Sequence, residues 1–584
     1  MDSSPDGRLS EAEYAQGYRL ACKSRVLSDL LVEIPASSRL ETAVMSQEIA
    51  AAADDRADQA IATGWEFNPP LTKCSLELPP PNLKNNASDL SRLLRGLKKR
   101  CDMSNASVDF SVLKTLPQTE RKRNGQVTVT MLTRAVRTKS ERRKPTVIRV
   151  EAGDTSRRNY SLAFDIGTTT VCGQLLDLGR GKVIAEGIAY NEQRSYGADV
   201  ITRIAYSQKP DGLKILKAAV TDTINRIIAE LIRKGDVRIG DIGHVTLAGN
   251  TVMTHILLGL DPKYIRLSPY TPVASFVPPV RASELGIKAG KHAYVFAFPS
   301  VASYVGGDIV SGVVGIGMHQ RDKLTLFMDI GTNGEIVIGN ADWMVTAACS
   351  AGPAFEGGGI KHGMIATSGA IQDFSIKPDG EPEIKTIGGE KPLGICGSGL
   401  INITAGLLES GIIGRNGKFN TELKNRRVRK GADGYEYILA RAEETQTGQD
   451  IVITEVDIDN LIRAKAAMYA GAQTLTENVG LKLSDLEMVI IAGAFGSHID
   501  IERSIAIGLL PDIPRDRFIF VGNASLTGAR LTSFASSLLD DARKVAGMMT
   551  NIELSDQTDF MDRYVAALFL PHTNSSEFRS VTRD

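Results

Sequence analysis

The sequence is short of the features that mark several simple classes of protein. Its 584 residues hold two tryptophans, and 6% of them are aromatic. Six cysteines (Cys22, Cys74, Cys101, Cys172, Cys349 and Cys396) stand far apart, with no C-x-x-C pair. That spacing argues against a zinc site and against a disulfide framework. Apart from Cys22, they are expected to be small buried residues. The formal net charge is zero, from 68 basic and 68 acidic side chains, so nothing global points to nucleic acid or a membrane surface. No apolar run reaches the roughly 18–20 residues of a membrane span. The nearest, Val301 to Met318, is interrupted by glycines and by Asp308. A charged-then-apolar leader pattern is also missing, and a cytoplasmic location is expected. Among catalytic motifs, G-x4-G-K-[ST], G-x-S-x-G and H-E-x-x-H are absent, and no G-x-G-x-x-G opens a helix after a strand. A P-loop enzyme and a dinucleotide site are therefore not expected.

What is present is a repeat. Ser161–Leu176 reads SLAFDIGTTTVCGQLL, and Leu326–Gly339 reads LFMDIGTNGEIVIG. Each copy is an apolar strand that delivers an Asp onto a Gly-Thr turn, followed by a second strand. Glycine lets the backbone approach an anion closely. The turn's N–H groups and hydroxyls can donate to phosphate. The carboxylate can hold Mg2+, usually through waters. One such turn is compatible with an ordinary hairpin. Two imply a duplicated domain with a nucleotide between the halves.

The paired turns resemble the two phosphate motifs of the actin, sugar-kinase and heat-shock-chaperone ATPase superfamily, and IIAGAFGSHID (Ile490–Asp500) resembles its adenosine motif. LAGNTVMTHILLG, SYVGGDIVSG, ACSAGPAFEGGGI, GICGSGLI and VGNASLTGA narrow the likeness to the ATP-dependent reductive activators of corrinoid proteins. The resemblance spans about Leu9 to the 560s. It implies an α/β chain with a duplicated ribonuclease-H-like (actin-like) ATPase domain, a small α/β middle domain and a [2Fe-2S] ferredoxin-domain remnant.

The expected domains are 1–36 (ferredoxin remnant), 37–83 (linker), 84–157 (middle domain) and 158–584 (ATPase, lobes at about 158–320 and 321–570). In the first of these, GYRLACKSRVL resembles the end of a plant-type ferredoxin, which would make Cys22 its final ligand. The other three ligands normally come from an upstream C-x4–5-C-x2-C loop. That loop is not in the sequence as written, so the cluster site is incomplete. A misassigned start or a truncated coding sequence is preferred to true loss of the cluster. Pro79-Pro80-Pro81 and Asn68-Pro69-Pro70 read as stiff spacers. In the middle domain, Ser88–Arg100 reads as an amphipathic helix, and Arg134–Lys144 as a basic loop that could dock an acidic partner.

Within the ATPase region, Gly212–Lys234 and Asp457–Asn478 read as helices. His255 is expected to be a packing histidine. Asn250 is left between phosphate donor and loop tie, and Glu356 between nucleotide or Mg2+ contact and a plain turn. Gly394–Gly399 is a turn leading into a helix, Arg415–Gln449 a charged surface insertion, and the chain after about Pro571 a disordered polar tail.

The resemblance implies residue roles. Asp165 and Asp329 would coordinate hydrated Mg2+ on ATP or position the attacking water, and Asp308 would orient water. Gly167, Thr168, Thr169, Gly331, Thr332 and Asn333 would bind phosphates. Gly493, Ala494 and Gly496 would line the adenosine. The implied activity restores a Co(II) corrinoid (cobalamin-binding) methyltransferase protein to Co(I). ATP drives the electron transfer, and the electron comes from the [2Fe-2S] cluster. A small-molecule kinase of the same superfamily, the activator of a 2-hydroxyacyl-CoA dehydratase and a nucleotide-gated scaffold are the alternatives. A kinase has no use for a ferredoxin tail, and the proposed dehydratase-activator ligands, Cys349 and Cys396, sit in motifs shared with the corrinoid activators. The electron donor and the oligomeric state, including a homodimer, stay open.

Overall fold

In the computed structural model, residues 61–84, 86–103, 105–133, 144–331, 333–378, 380–432, 434–493 and 499–581 are described. Cys22, the ferredoxin-like segment, Thr332, Ala494, Gly496 and nearly all of the basic loop lie outside them.

The first described unit is a sheet of β1 (Leu71–Glu77), β2 (Ser107–Val108), β3 (Gln126–Leu132) and β4 (Thr146–Ala152), in the order β1-β3-β4-β2. Helix α1 (Asp89–Cys101) lies against β1. Ser88 caps it by accepting from the Ser91 N–H, and its stripe buries Leu93 and Leu97 completely. β1 comes from residues that the sequence reading assigns to a linker. Its own pattern is weak, since only Leu71 and Leu76 are buried. It becomes a strand because it pairs with β3 along its whole length, from Leu71–Leu132 to Glu77–Gln126. A second correction concerns the cysteines. Cys74 on β1 and Cys101 at the end of α1 form a disulfide, whereas Cys172, Cys349 and Cys396 are free and buried.

Two six-stranded sheets follow. The first contains β5 (Tyr160–Ile166), β6 (Thr170–Asp177), β7 (Lys182–Tyr190), β8 (Ile242–Gly249), β9 (Val280–Arg281) and β10 (Tyr294–Ala297), ordered β7-β6-β5-β8-β10-β9. Helices α2 (Val200–Ser207), α3 (Gly212–Gly235) and α4 (Thr251–Leu258) belong to this half, and α5 (Gly307–Gly315) leads out of it.

The second half opens with β11 (Thr325–Ile330), β12 (Gly334–Gly339) and β13 (Met344–Cys349). Two small sheets are inserted next: β14 (Ala370–Ile376), β15 (Pro382–Thr386) and β16 (Gly394–Ile395), then β17 (Val428–Gly431), β18 (Gly434–Ala440) and β19 (Ile451–Thr454). Helices α6 (Gly397–Glu409) and α7 (Glu455–Asn478) accompany them. β20 (Met488–Ala492), β21 (Phe518–Phe520) and β22 (Met549–Asn551) complete a main sheet ordered β21-β20-β11-β12-β13-β22.

The repeat is visible in this topology. β5-β6-β7 and β11-β12-β13 are antiparallel meanders, and β8 and β20 each run parallel to the first strand of their half. A central parallel strand is covered on both faces, which accounts for continuous apolar runs such as MVIIA in β20. The halves meet where α5 packs on α8 (Ala524–Phe534). The contact is close enough that a Cβ on Gly528 would sit 1.9 Å from the Ser311 carbonyl oxygen, so only glycine fits there.

Arg415–Gln449 is exposed over much of its length, as expected of a surface insertion, but β18 turns Tyr437 fully into the core. One further expectation fails: the chain after Pro571 is not a loose tail. Phe578 is fully buried with its ring 5.3 Å from Tyr469, and the Tyr469 hydroxyl donates to Glu577 at 2.7 Å. On α7, the buried Lys465 ammonium donates to the carbonyls of Phe569 (2.6 Å) and Pro571 (2.7 Å). These contacts join positions about a hundred residues apart, which local composition does not register. No helix among the described residues is long and apolar enough to cross a membrane.

Candidate nucleotide cleft

The two Asp-Ile-Gly-Thr turns face each other across a cavity of about 220 Å3. Asp165, Gly167, Thr168 and Thr169 line it from the first turn, and Asp329, Gly331 and Asn333 from the second. Asp308 enters from the first turn of α5, and Gly493 from the end of β20. The twofold repetition therefore places its two carboxylates in one cleft. Gly493 (φ 110) follows β20 in the segment expected to line adenosine, and its backbone passes so close to Ile330 that a Cβ would meet the carbonyl oxygen at 2.1 Å.

The site is held by residues that no motif singles out. Asn523 Nδ2 and Ser525 Oγ each donate to the Asp165 carboxylate at 2.8 Å. Both lie in the VGNASLTGA segment, which carries a family likeness but assigns them no role. Asn523 also caps α8 by accepting from the Leu526 N–H, so helix position and carboxylate position are set together. Arg203, fully buried on α2, donates to the Thr168 carbonyl (2.7 Å) and to the Gly197 carbonyl (2.9 Å). It fixes the phosphate turn from behind, and burial lowers its pKa only to about 10. Nothing local in the sequence points to it.

Asn250 ties its loop by accepting from the Met253 N–H and also donates to Thr168 Oγ1 at 3.1 Å, so it supports the phosphate turn. His255 is a packing residue: Nε2 accepts from the Val273 N–H, and Nδ1 faces the Thr251 carbonyl at 2.7 Å. Helix α6 starts at Gly397, three residues before the expected Leu400, which brings Gly397 and Ser398 to the cleft wall.

The electrostatics are one-sided. Asp165, Asp308, Asp329, Glu335 and Glu356 all line the cavity, with no lysine, arginine or histidine among the described lining residues. Burial, then repulsion from Asp165, raises Asp308 to about 7. Burial, then Asp308, Asp165 and Glu356, raises Asp329 to about 8. Glu335, directly opposite Asp329 on β12, is raised by burial, then by Asp308 and Asp329. The missing counter-charge and the all-oxygen donor set fit a hard divalent cation such as Mg2+. Among the described residues no group of three or more His, Cys, Asp or Glu is placed to hold a metal ion by itself.

The chain matches three consecutive parts of one family: the RACo linker region over residues 60–157, the RACo middle region over 160–321, and the C-terminal domain of RACo, the ASKHA domain, over 323–582. It is 34% identical over 415 residues to the corrinoid activation enzyme RamQ of Eubacterium limosum, covering 70% of this chain and 69% of that protein. It is 25% identical over 446 residues to the [Co(II) methylated amine-specific corrinoid protein] reductase of Methanosarcina barkeri, covering 70% and 76%. A solved reductive activator for corrinoid,iron-sulfur protein superposes with a TM-score of 0.82 at 45% identity, over 98% of this chain and 90% of that one. The ASKHA domain implies nucleotide and Mg2+ binding, which the cleft's donor set fits. The chain belongs to the RACo family of ATP-dependent reductive activators of corrinoid proteins, built on an actin-like ATPase domain.

Proposed function

We propose that this protein uses ATP in the cleft between its halves, taken as residues 158–320 and 321–570, to return a Co(II) corrinoid methyltransferase protein to Co(I). The observation that carries this reading is the pairing of two phosphate turns and their aspartates in one acidic cleft, in a chain that matches the activator family along most of its length.

The turns bind ATP through Gly167, Thr168 and Thr169 on one side and Gly331, Thr332 and Asn333 on the other. Gly493, Ala494 and Gly496 line the adenosine. Asp165 and Asp329 would hold hydrated Mg2+, which would neutralise charge on the phosphates, or would position the attacking water. Asp308, held near neutral pH at about 7, suits a group that orients the attacking water and takes up its proton. Phosphoryl transfer relies on positioning and charge more than on a protein nucleophile, so these groups suffice. Closure of the halves on ATP is the bistable element, and ATP can bias it only by binding the closed form more tightly.

The reduction itself adds one electron to cobalt. A [2Fe-2S] cluster would supply that electron with Cys22 as one candidate ligand; the three other ligands it needs are not in the sequence as written.

The test combines the protein, a Co(II) corrinoid protein, a low-potential one-electron donor and MgATP. Co(I) formation is followed optically, with ATP turnover in parallel. Co(I) that accumulates only with ATP, and turnover stimulated by the corrinoid protein, are the expected results. Phosphorylation of a small molecule, or turnover indifferent to corrinoid protein, would reject the reading. Iron and sulfide analysis tests the cluster assignment separately.

A further inference from the structure

One contact in the cleft has no part in the scheme above. Thr169 Oγ1, on the first phosphate turn, donates to Glu356 Oε2 at 3.3 Å. Glu356 belongs to the opposite half, at the end of a short 3-10 turn, Pro353–Glu356. Its other oxygen, Oε1, lies 3.6 Å from where a Cβ on Gly331 would stand, over the bare face of the second phosphate turn. The carboxylate therefore lies between the two turns that receive phosphate. It carries the same charge as a phosphate oxygen and uses the same hydroxyl donor.

A threonine hydroxyl has one proton to donate. When Thr169 gives it to an ATP phosphate, it no longer gives it to Glu356. Two anions in one seat would also repel, in a cleft with no cationic side chain among its described lining residues. Glu356 must therefore leave when phosphate arrives. The local packing allows this. Ala354 and Phe355 are buried at 3% and 1% exposure and anchor the turn, while the Glu356 side chain is half-buried at the cavity wall.

We propose that Glu356 is a built-in phosphate mimic. Its carboxylate accepts from Thr169 and lies beside Gly331, where phosphate would sit, and the phosphates of ATP displace it. The inference rests on reading the cleft as the ATP site. Glu356 acts through Thr169, so it is a positioning residue. Its displacement breaks a bond between the two halves at the moment ATP binds and links nucleotide occupancy to their relative position. Because the carboxylate competes with ATP, it lowers nucleotide affinity.

The test measures MgATP binding by calorimetry on the full chain, for wild type, Glu356→Gln, Glu356→Asp, Thr169→Val and the Thr169→Val/Glu356→Gln double variant. Glu356→Gln keeps the shape and removes the charge. It should bind MgATP about tenfold more tightly, equal to about 1.4 kcal/mol. KM for ATP should fall while kcat changes little. Glu356→Asp keeps the charge and should stay within about threefold of wild type, less than half of that energy. Thr169→Val should weaken binding and, by removing the shared donor, reduce the gain from Glu356→Gln, so that the two changes are not additive. Equal or weaker MgATP binding by Glu356→Gln, or a fall in kcat at unchanged affinity, would overturn the mimic and make Glu356 an ordinary ligand or base. A wild-type protein that fails to bind MgATP would reject the ATP reading of the cleft itself, a result distinct from wild-type binding without the gain.

Discussion

Asp329→Asn should stabilise the nucleotide-free protein at alkaline pH while abolishing turnover. The reason is the proton that Asp329 holds. Its ordinary value is 3.8, and burial among Asp308, Asp165 and Glu356 raises it to about 8. Between those two pH values the native state keeps a proton that the unfolded state has released. Stability therefore falls as pH rises, by about 1.4 kcal/mol per pH unit for one such group. The contribution is fully present below about pH 4 and is lost by about pH 8. Over that span the ceiling is roughly 6 kcal/mol. The side chain faces an open cleft, where water and counter-ions relieve part of the repulsion, so an effect of about 1–2 kcal/mol is expected. Asparagine keeps the shape and carries no charge. Thermal unfolding from pH 4.5 to 8.5 should show wild type losing stability steadily and Asp329→Asn losing less. The two curves should converge at the acid end. MgATP should narrow the gap at pH 8 by stabilising wild type alone. A variant less stable than wild type at pH 8, or a gap that does not shrink with acid, would refute the reasoning.

Two further outcomes follow from the geometry. Arg203→Met removes the buried guanidinium that holds the Thr168 and Gly197 carbonyls, and it should cost about 2–4 kcal/mol in denaturant unfolding and weaken MgATP binding at least about tenfold. Unchanged nucleotide affinity would show that the phosphate turn does not depend on this support. Lys465→Met leaves the carbonyls of Phe569 and Pro571 without their donor, so limited proteolysis should cut the chain after Phe569 faster than in wild type, with MgATP binding little altered. Equal cleavage rates would mean that the packing of Phe578 alone secures the segment.

The elements that were legible in the sequence are those defined by short-range pattern. Helix α1 begins one residue from its expected start because Ser88 is a side-chain cap followed by a leucine stripe. Helix α3 runs from Gly212 to Gly235 against an expected Gly212–Lys234, since its apolar residues recur with helical spacing. His255 satisfies its ring nitrogens locally, as expected of a packing histidine. The misreadings share a cause. β1 and the segment after Pro571 take their structure from distant partners: β3, and Lys465 with Tyr469. Composition reports what a segment could do alone, and these segments do nothing alone.

The candidate site divides in the same way. The sequence by itself determined that an Asp-Ile-Gly-Thr turn after an apolar strand occurs twice, because these adjacent residues form a local unit. It also determined the family, through motifs spread along nearly the whole chain. Only the tertiary structure decided what surrounds those turns. It brings Asn523 and Ser525 onto Asp165, Arg203 behind Thr168, Glu335 opposite Asp329, and Glu356 between the two turns. The reason is physical. The charge state of a carboxylate and the availability of a hydroxyl depend on what lies within a few ångströms, and those neighbours come from other segments, for Asp165 and Thr169 from the other half of the chain.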